Sequence, residues 1–255
     1  MKKRIVIKLG TGVLSTPTGK SLDADQFTRL TAEIAQLEKE DHSCILVSSA
    51  AIAAGVRVLK LKQRPDDLSG KQACAAAGQP ELMRLYATSF KKHGFAVAQL
   101  LLTHGDIDSF MRRENARNTL DRLLERGAIP IINENDSVAV EELRFGDNDR
   151  LSAEVALLAQ ADHLIILTSV DGLQDWEGRR VGKVREIAEA FRYVRPDKGE
   201  ESVGGMKTKL EAVRKVCAAG ISAHILDGRK PGQLHAALHG KDVGTSFAVS
   251  RHIKP

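Results

Sequence analysis

Acidic and amide side chains crowd the start of a predicted helix, where they could organise cations or bind a polar ligand. In FGDNDRLSAEVALLA (residues 145–159), Asp147, Asn148 and Asp149 come directly before apolar residues spaced i, i+4 and i+7, which predicts one buried helix face. A single Asp or Asn is enough to cap a first turn, and Asp149 is a candidate for that cap. A second cluster, INENDSV, lies about fifteen residues earlier. Two such clusters favour polar recognition, or the organisation of lysines or Mg²⁺.

Two glycine-rich or small-residue segments follow predicted strands near the beginning of the chain. KLGTGVLS (residues 8–15) combines Lys8 with Gly10 and Gly12, which would let the backbone approach a phosphate. The segment matches neither the dinucleotide fingerprint nor the P-loop, and a plain glycine turn explains it equally well. VSSAAIAAG (residues 47–55) would let an anion reach the N–H groups of a helix, although tight helix-to-sheet packing explains that segment better when it is taken alone.

Lysines occupy the first turn of another predicted helix, in VGGMKTKLEAVRKVCAAG (residues 203–220). The positive end of the helix dipole disfavours lysine there, and a departure from a local rule often marks a functional site. An anion held between the N–H groups, Lys207 and Lys209 would resolve the conflict. For Lys207 alone, a side chain that points into water remains a good explanation. Taken together, these segments predict phosphoryl transfer without a P-loop.

The elements that must position these residues alternate along the chain. The predicted strands are 4–9, 44–49, 97–103, 129–133, 163–169 and 223–227, with a last strand near GTSF. The predicted helices are about 23–39, 50–60, 71–92, 105–126, 148–160, 206–219 and 231–238. The alternation predicts a three-layer α/β/α sandwich around a mostly parallel sheet. We expect Gly78 and Pro80 to break or kink the third helix, residues 138–146 to form a short hairpin or an excursion from the sheet, and residues 174–204 to form long loops near a ligand.

Length and composition set limits on the class of protein. The chain has 255 residues and a net charge of +5, which suits one α/β domain over 1–255, with a core at about 3–248 and a tail at 249–255. The basic residues are dispersed, so a nucleic-acid binder is disfavoured. Cys44, Cys74 and Cys217 show no disulfide or metal spacing, which predicts buried thiols in a reducing compartment. No signal peptide or membrane span is evident, and we expect a cytoplasmic protein.

The motifs resemble those of the amino acid kinase family over nearly the whole chain. KLGT, GQPELM, NARNTL, INEND, GDNDRLSA, GGMKTKL and AGI follow one another in the family's order and spacing. INEND together with GDND is the most specific part, and it points to the family members that act on L-glutamate. The resemblance implies the amino acid kinase fold and phosphorylation of the L-glutamate γ-carboxylate by ATP, which gives L-glutamyl 5-phosphate in the first step of proline biosynthesis.

The resemblance also implies roles for individual residues. Lys8 and Lys209 would contact the transferring phosphoryl group, with Asp147 orienting them. Ser49, Asp136 and Asn148 would bind glutamate. The residues implied for ATP are Lys8, Gly10, Thr168, Ser169, Val203, Gly204, Gly205, Met206, Lys207, Thr208 and Lys209. Mg²⁺ would be held mainly by the ATP phosphates, without a metal site of protein side chains. The resemblance further implies a homodimer or homotetramer, proline as a candidate inhibitor, and no nucleic-acid or membrane partner.

Three departures from the family pattern keep alternatives open. Ala50 stands where the family usually has Gly, and it would cost on the order of 1 kcal/mol if the backbone needs a positive φ. Ser169 and Gln174 depart from the usual nucleotide loop. Many members carry a C-terminal PUA domain, which we do not expect here. The alternatives are a catalytically weakened sensor of ATP or amino acids, and a kinase of another small carboxylate.

Overall fold

A mostly parallel β-sheet forms the centre of the molecule. The computed structural model describes residues 2–16, 21–138, 148–194 and 205–249. The strands are β1 (Arg4–Leu9), β2 (Ser43–Ser48), β3 (Val97–Leu102), β4 (Ile129–Glu134), β5 (His163–Thr168), β6 (Lys183–Val184), β7 (Ser222–Asp227) and β8 (Thr245–Phe247). Their order in the sheet is β3-β4-β2-β1-β5-β7-β8-β6. Every described pair is parallel except β7 with β8, which is antiparallel.

Helices cover both faces of this sheet. They are α1 (Thr11–Leu14), α2 (Ala24–Lys39), α3 (Ala51–Val58), α4 (Leu68–Lys91), α5 (His104–Asp108), α6 (Phe110–Glu125), α7 (Asn148–Leu158), α8 (Ile187–Ala190), α9 (Met206–Ala218) and α10 (Gln233–Leu238), with a 3₁₀ turn at Phe191–Tyr193. No helix among the described residues is both long and apolar enough to cross a membrane.

Alternate residues of the central strands enter two separate hydrophobic cores. In β1, Val6 packs into one core with residues of α6, α7 and α9. Ile5 and Ile7 pack into the other with residues of α2, α4 and α10. Because successive side chains of a strand point to opposite faces, the central strands are apolar almost throughout, as parallel strands covered on both faces are. The predicted three-layer α/β/α arrangement is confirmed.

Most predicted elements are confirmed, but several helix predictions need correction. The stretch predicted as one helix over 105–126 is two helices, α5 and α6, that meet at Ser109. Of the predicted break or kink at Gly78 and Pro80, the break is wrong, because α4 runs through both residues. Pro80 lies on the exposed face of α4 with Ala76, so water can bond the Ala76 carbonyl, which loses its helical donor. The predicted loops contain β6 and α8, and the predicted hairpin falls mostly on residues 139–147, outside the described chain.

Helices α3 and α4 touch backbone to backbone at two glycines. A Cβ added to Gly78 would lie 1.9 Å from the Ala51 carbonyl oxygen, and one added to Gly55 would lie 1.8 Å from the Cys74 carbonyl oxygen. Only residues without a Cβ allow this approach. The contact fixes the beginning of α3 against the middle of α4, and both of these lie beside the candidate site.

Candidate active site

The candidate site lies at the edge of the sheet where the parallel strands end. Lys8 is the penultimate residue of β1, Asn133 is the penultimate residue of β4, and Thr168 ends β5. Ser49 follows β2, and its N–H donates to the Leu9 carbonyl at 3.1 Å. Because these strands are parallel neighbours, the folded chain gathers side chains that are far apart in sequence. Ligands bind at this edge in open α/β sheets.

Asp149 joins two lysines from opposite ends of the chain. One carboxylate oxygen, Oδ1, lies 2.7 Å from Lys8 Nζ. The other, Oδ2, lies 2.9 Å from Lys209 Nζ. Oδ2 also accepts a hydrogen bond from Thr208 Oγ1 at 3.1 Å. Lys8 belongs to β1, Asp149 is the second residue of α7, and Lys209 is the fourth residue of α9. We call Lys8, Asp149 and Lys209 the charged triad.

The charged triad is buried and carries a net positive charge. Asp149 is 0% exposed, Lys8 6% and Lys209 8%. Burial opposes ionisation of Asp149, but the ammonium groups of Lys8 and Lys209 outweigh it and hold the pKa of this carboxyl below its usual value. With the carboxylate ionised, two positive charges and one negative charge leave a net +1. A buried excess of positive charge at a helix N-terminus suits a phosphate or carboxylate ligand.

The contacts of Asp149 bear on which carboxylate orients the two lysines. Sequence reasoning gave this role to Asp147 and left Asp149 as a candidate helix cap. Asp149 lies inside α7, and its carboxylate contacts both lysines, so it is the residue that holds them. Asp147 lies outside the described residues, so its own role stays a prediction. The conflict between Lys209 and the helix dipole is eased by the Asp149 carboxylate.

Asn148 links the charged triad to the end of β2. Its Nδ2 lies 2.7 Å from the Ser48 carbonyl oxygen, 3.0 Å from Ser49 Oγ and 2.9 Å from Asn133 Oδ1. Since Asn148 is adjacent to Asp149 in sequence, this side chain ties the lysine-binding carboxylate to the strand ends. Ser49 and Asn148, both predicted to bind the substrate, are therefore in direct contact.

Ala50, directly before α3, has a left-handed backbone conformation. It is the N-cap residue, with φ 81° and ψ 6°, and it is 6% exposed. Sequence analysis expected Ala in place of Gly to cost folding free energy if the backbone at position 50 needs a positive φ, and the observed φ is positive. L-residues with a Cβ are strained in this region by roughly 1–2 kcal/mol. The strained residue directly follows Ser49, at a helix beginning that faces the same edge of the sheet.

A cavity opens between α4 and the segment that follows β4. It is partly open to solvent and is lined by Ala51, Gln79, Glu134 and Asp136 among others. Asp136, predicted to bind the substrate, lies in this wall. Gln79 Oε1 accepts from Asn133 Nδ2 at 2.9 Å. Through Asn133 and Asn148, the cavity is connected to the charged triad.

The residues predicted to hold ATP are only partly described. A Cβ added to Gly10 would lie 3.5 Å from Lys8 Nζ, and one added to Gly12 would lie 3.7 Å from Ser169 Oγ, so the turn after β1 is close to Lys8 and to the end of β5. Gly205 is the N-cap of α9. The remaining predicted residues of this group are Thr168 and Met206, which are partly buried, Lys207, which is exposed, and Val203 and Gly204, which lie outside the described residues.

Sequence reasoning missed two side chains that support the site. Asn133 and Gln79 are 2% and 8% exposed and are hydrogen-bonded to each other. Both stand within motifs that the resemblance singled out, INEND and GQPELM. The signal was therefore present, but it gave no role to either residue, because their contact joins positions 54 residues apart.

Metal-binding side chains do not cluster in the described part of the chain. Among its residues, no group of three or more His, Cys, Asp or Glu side chains could hold a metal ion.

The predicted buried thiols are confirmed, since Cys44, Cys74 and Cys217 are all buried and unpaired.

Known proteins resemble the chain over nearly its whole length. A sequence model described as the Amino acid kinase family matches residues 3–227. The Glutamate 5-kinase of Thermus thermophilus is 45% identical over an alignment of 257 residues. The alignment covers 99% of this chain and 69% of that protein. The Glutamate 5-kinase of Anaeromyxobacter dehalogenans is 44% identical over 98% of this chain and 68% of its own length, and that of Geobacter metallireducens has the same values.

A solved structure supports the fold. The N-acetylglutamate synthase from Neisseria gonorrhoeae, complexed with coenzyme A and N-acetyl-glutamate, superposes with a TM-score of 0.70. The alignment covers 96% of this chain and 59% of that one, at 17% sequence identity. At this identity the likeness concerns the fold alone.

Proposed function

The chain belongs to the amino acid kinase family, and from this premise we propose that it transfers the γ-phosphoryl group of ATP to the γ-carboxylate of L-glutamate. The products would be ADP and L-glutamyl 5-phosphate, as in the first step of proline biosynthesis. The support from comparison is the set of Glutamate 5-kinases at 42–45% identity over 96–99% of this chain.

The observation that carries this proposal is the charged triad at the carboxyl edge of the sheet. Phosphoryl transfer between two anions needs positive charge around the transferring group, and little covalent chemistry from the protein. Lys8 and Lys209 supply two such charges, and Asp149 holds both of them at 2.7 and 2.9 Å. A preorganised arrangement of this kind stabilises developing charge without reorganisation during the reaction.

The reaction follows from the chemistry of the two substrates. A glutamate γ-carboxyl group has an ordinary pKa of about 4.3, so it is already ionised at neutral pH and needs no general base. One carboxylate oxygen forms a bond to the γ-phosphorus, while the bond from that phosphorus to the β,γ-bridging oxygen breaks and its electron pair leaves with ADP. Lys8 and Lys209 would offset the negative charge on the phosphoryl oxygens as this occurs. Asp149 acts by positioning the two ammonium groups.

The nucleotide would lie along the beginning of α9 and the turn after β1. Gly10, Thr168 and Ser169 would border one side, and residues 205–209, with their N–H groups and lysines, would border the other. A net positive charge and a helix N-terminus fit a triphosphate. Mg²⁺ on the ATP phosphates would neutralise charge between the phosphoryl groups.

Glutamate would lie between the charged triad and the cavity. Ser49 and Asn148 flank the position of the reacting carboxylate beside Lys8. Asp136, in the cavity wall, is an acceptor suited to the α-ammonium group.

The test is ADP release by the purified chain with Mg·ATP, with and without L-glutamate, in parallel with aspartate, acetylglutamate and UMP. Hydroxylamine is added to trap an acyl phosphate as the hydroxamate. Glutamate-dependent ADP release with hydroxamate formation is the expected result. Turnover with another acceptor would favour a kinase of a different small carboxylate or phosphate. ATP binding by the folded chain without turnover on any acceptor would favour the weakened sensor, for which the strained Ala50 is the motive.

Three further expectations belong to this proposal. Proline would compete with glutamate, which inhibition kinetics at varied glutamate would reveal. The chain would form a homodimer or homotetramer, which light scattering coupled to gel filtration would measure. A cytoplasmic location stays a prediction.

A further inference from the structure

Gln79 lines the cavity beside the glutamate site and carries a buried amide donor that has no acceptor among the described residues. From its geometry we propose that Gln79 binds the α-carboxylate of the substrate and makes the enzyme selective for acceptors with a free α-carboxylate. The inference rests on the proposed function, because it concerns the same substrate. It assigns a specificity-determining contact to a residue outside the set that the sequence motifs marked for glutamate.

The direction of the Gln79 amide is fixed by a neighbouring backbone group. The N–H of Glu134 lies 2.9 Å from Asn133 Oδ1, and a backbone N–H can only donate, so that atom of Asn133 must be the oxygen. Asn133 therefore turns its Nδ2 donor toward Gln79, at 2.9 Å. The Gln79 atom that accepts this bond must be Oε1. Gln79 consequently presents its –NH₂ group on the side away from Asn133.

That –NH₂ group lacks a partner in the described part of the chain. Gln79 Nε2 is buried and has no hydrogen-bond acceptor among the described residues, although the residue is only 8% exposed and lines the cavity. A buried donor without an acceptor is costly, and such groups in native proteins call for an explanation. A ligand acceptor in the cavity would satisfy it.

The chemistry of glutamate decides which of its groups this acceptor is. The γ-carboxylate must reach the lysines of the charged triad to react. The α-ammonium group is a donor, so it cannot accept from Gln79 and belongs beside acidic side chains such as Asp136. The α-carboxylate is an acceptor with no donors, and it is the group left to meet Gln79 Nε2.

The hydrogen-bond network fixes the position of Gln79 relative to the charged triad. Gln79 bonds Asn133, Asn133 bonds Asn148 at 2.9 Å, and Asn148 directly precedes Asp149. The close packing of α4 on α3 at Gly78 fixes the adjacent Gln79 further. The donor for one end of the substrate and the carboxylate that orients the lysines thus belong to one connected set of side chains.

The variant that tests this inference is Gln79→Glu. Its carboxylate has nearly the shape of the amide and keeps an oxygen toward Asn133 Nδ2, so the network is retained. On the cavity side, a donor becomes an anion. Kinetics are measured at pH 8.5, where the introduced carboxyl group is ionised, with L-glutamate and with its α-amide as acceptors. Gln63→Glu, on an exposed residue, controls for the added charge, and Gln79→Met supplies a neutral variant.

We expect the KM for glutamate to rise about tenfold to a hundredfold in Gln79→Glu, the range for a lost hydrogen bond to a charged group. The kcat and the KM for ATP should change less than about threefold. The ratio of kcat/KM for glutamate to that for the α-amide should fall at least about tenfold, because the amide can donate to the new carboxylate. Gln79→Met should raise the KM for glutamate without favouring the α-amide.

Each outcome decides a separate question. A wild-type chain that does not phosphorylate glutamate overturns the proposed function and this inference with it. A wild-type chain that is active, with an unchanged preference between the two acceptors in Gln79→Glu, overturns the inference alone. A loss of activity that is equal for both acceptors assigns Gln79 a purely structural role and also overturns it.

Discussion

The charge of Asp149 can be removed almost without changing the shape of the side chain, by Asp149→Asn. At 2.7 and 2.9 Å, each carboxylate–ammonium contact is worth roughly 6 kcal/mol of attraction at an effective dielectric constant of about 20. Most of this offsets the cost of taking three charges out of water. Removing one partner of a buried pair costs about 3–5 kcal/mol of folding free energy, and we expect a loss of that size here.

The catalytic loss from Asp149→Asn should appear in kcat. Without the carboxylate, Lys8 and Lys209 repel each other and no longer share a fixed position, so the stabilisation of the transferring group weakens. Losing a preorganised electrostatic contact typically lowers kcat about 100-fold to 1000-fold. The KM for glutamate should change less than about threefold, because the cavity residues are untouched. Hydroxamate formation at saturating ATP, with glutamate varied, measures both constants, and urea unfolding measures the stability.

Asp147→Asn is the matched comparison, because sequence reasoning gave Asp147 the same role two residues earlier. We expect Asp149→Asn to reduce kcat far more than Asp147→Asn does. The assignment fails if the order is reversed, or if Asp149→Asn keeps kcat within threefold of the wild type. Mg·ATP should also raise the melting temperature of Asp149→Asn by more than that of the wild type, since the triphosphate restores negative charge between the lysines.

Three further substitutions test local features of the fold. Ala50→Gly should raise the free energy of unfolding by about 0.5–1 kcal/mol, because φ is 81° and glycine adopts it without strain; turnover should change less than threefold if only the N–H is needed. Gly78→Ala should cost at least about 3 kcal/mol, since its Cβ would lie 1.9 Å from the Ala51 carbonyl oxygen. Replacing both His163 and His224 with Asn should flatten the loss of stability in acid. Burial lowers the pKa of each imidazole from 6.5 to about 4, so the unfolded chain binds more protons between these values. Stability is complete above pH 6.5 and declines toward pH 4, by about 2 kcal/mol per histidine from pH 7 to pH 5.

Each of these substitutions has a control within the chain. Ala51→Gly changes the next residue, inside α3, and should destabilise by about 0.5–1 kcal/mol; equal effects at both alanines would contradict the strain argument. Gly105→Ala adds a Cβ at an ordinary 3.7 Å contact, so its free energy of unfolding should fall much less than that of Gly78→Ala. His239→Asn alters an exposed histidine. If it reduced the loss of stability between pH 7 and pH 5 as much as the double variant does, burial of His163 and His224 would not be the cause. Urea unfolding at pH 7 and pH 5 supplies every value.

Sequence periodicity identified most of the sheet because its central strands are buried on both faces. An apolar run such as residues 163–169 leaves little doubt about a strand, and β5 ends within one residue of its predicted bound. Periodicity carries no comparable signal for β6, which has two residues and depends on pairing with β8. Pro80 misled the prediction because local propensity argued for a break. The packing of α4 on α3 and the exposed position of Pro80 allow the helix to continue.

A residue of the candidate site could be predicted from the sequence when its local sequence environment was unusual for its type. Lys8 and Lys209 attracted attention through a glycine-rich turn and a violated dipole rule, and the structure brings them to one carboxylate. Gln79 offered no such local sign, since a glutamine in a helix is ordinary. Its significance comes from a hydrogen bond to a residue 54 positions away and from a buried donor that has no acceptor among the described residues.

The confusion between Asp147 and Asp149 shows what spacing alone can and cannot decide. Both acids flank Asn148 at the beginning of α7, and either could have met lysines whose positions were unknown. Once the helix begins at residue 148, helical geometry separates neighbouring side chains by about 100°, so Asn148 and Asp149 cannot serve the same partners. Asn148 turns to the end of β2, and Asp149 turns to β1 and α9. Adjacent polar residues at one helix start therefore have different partners, with the amide at the ends of β2 and β4 and the carboxylate between Lys8 and Lys209.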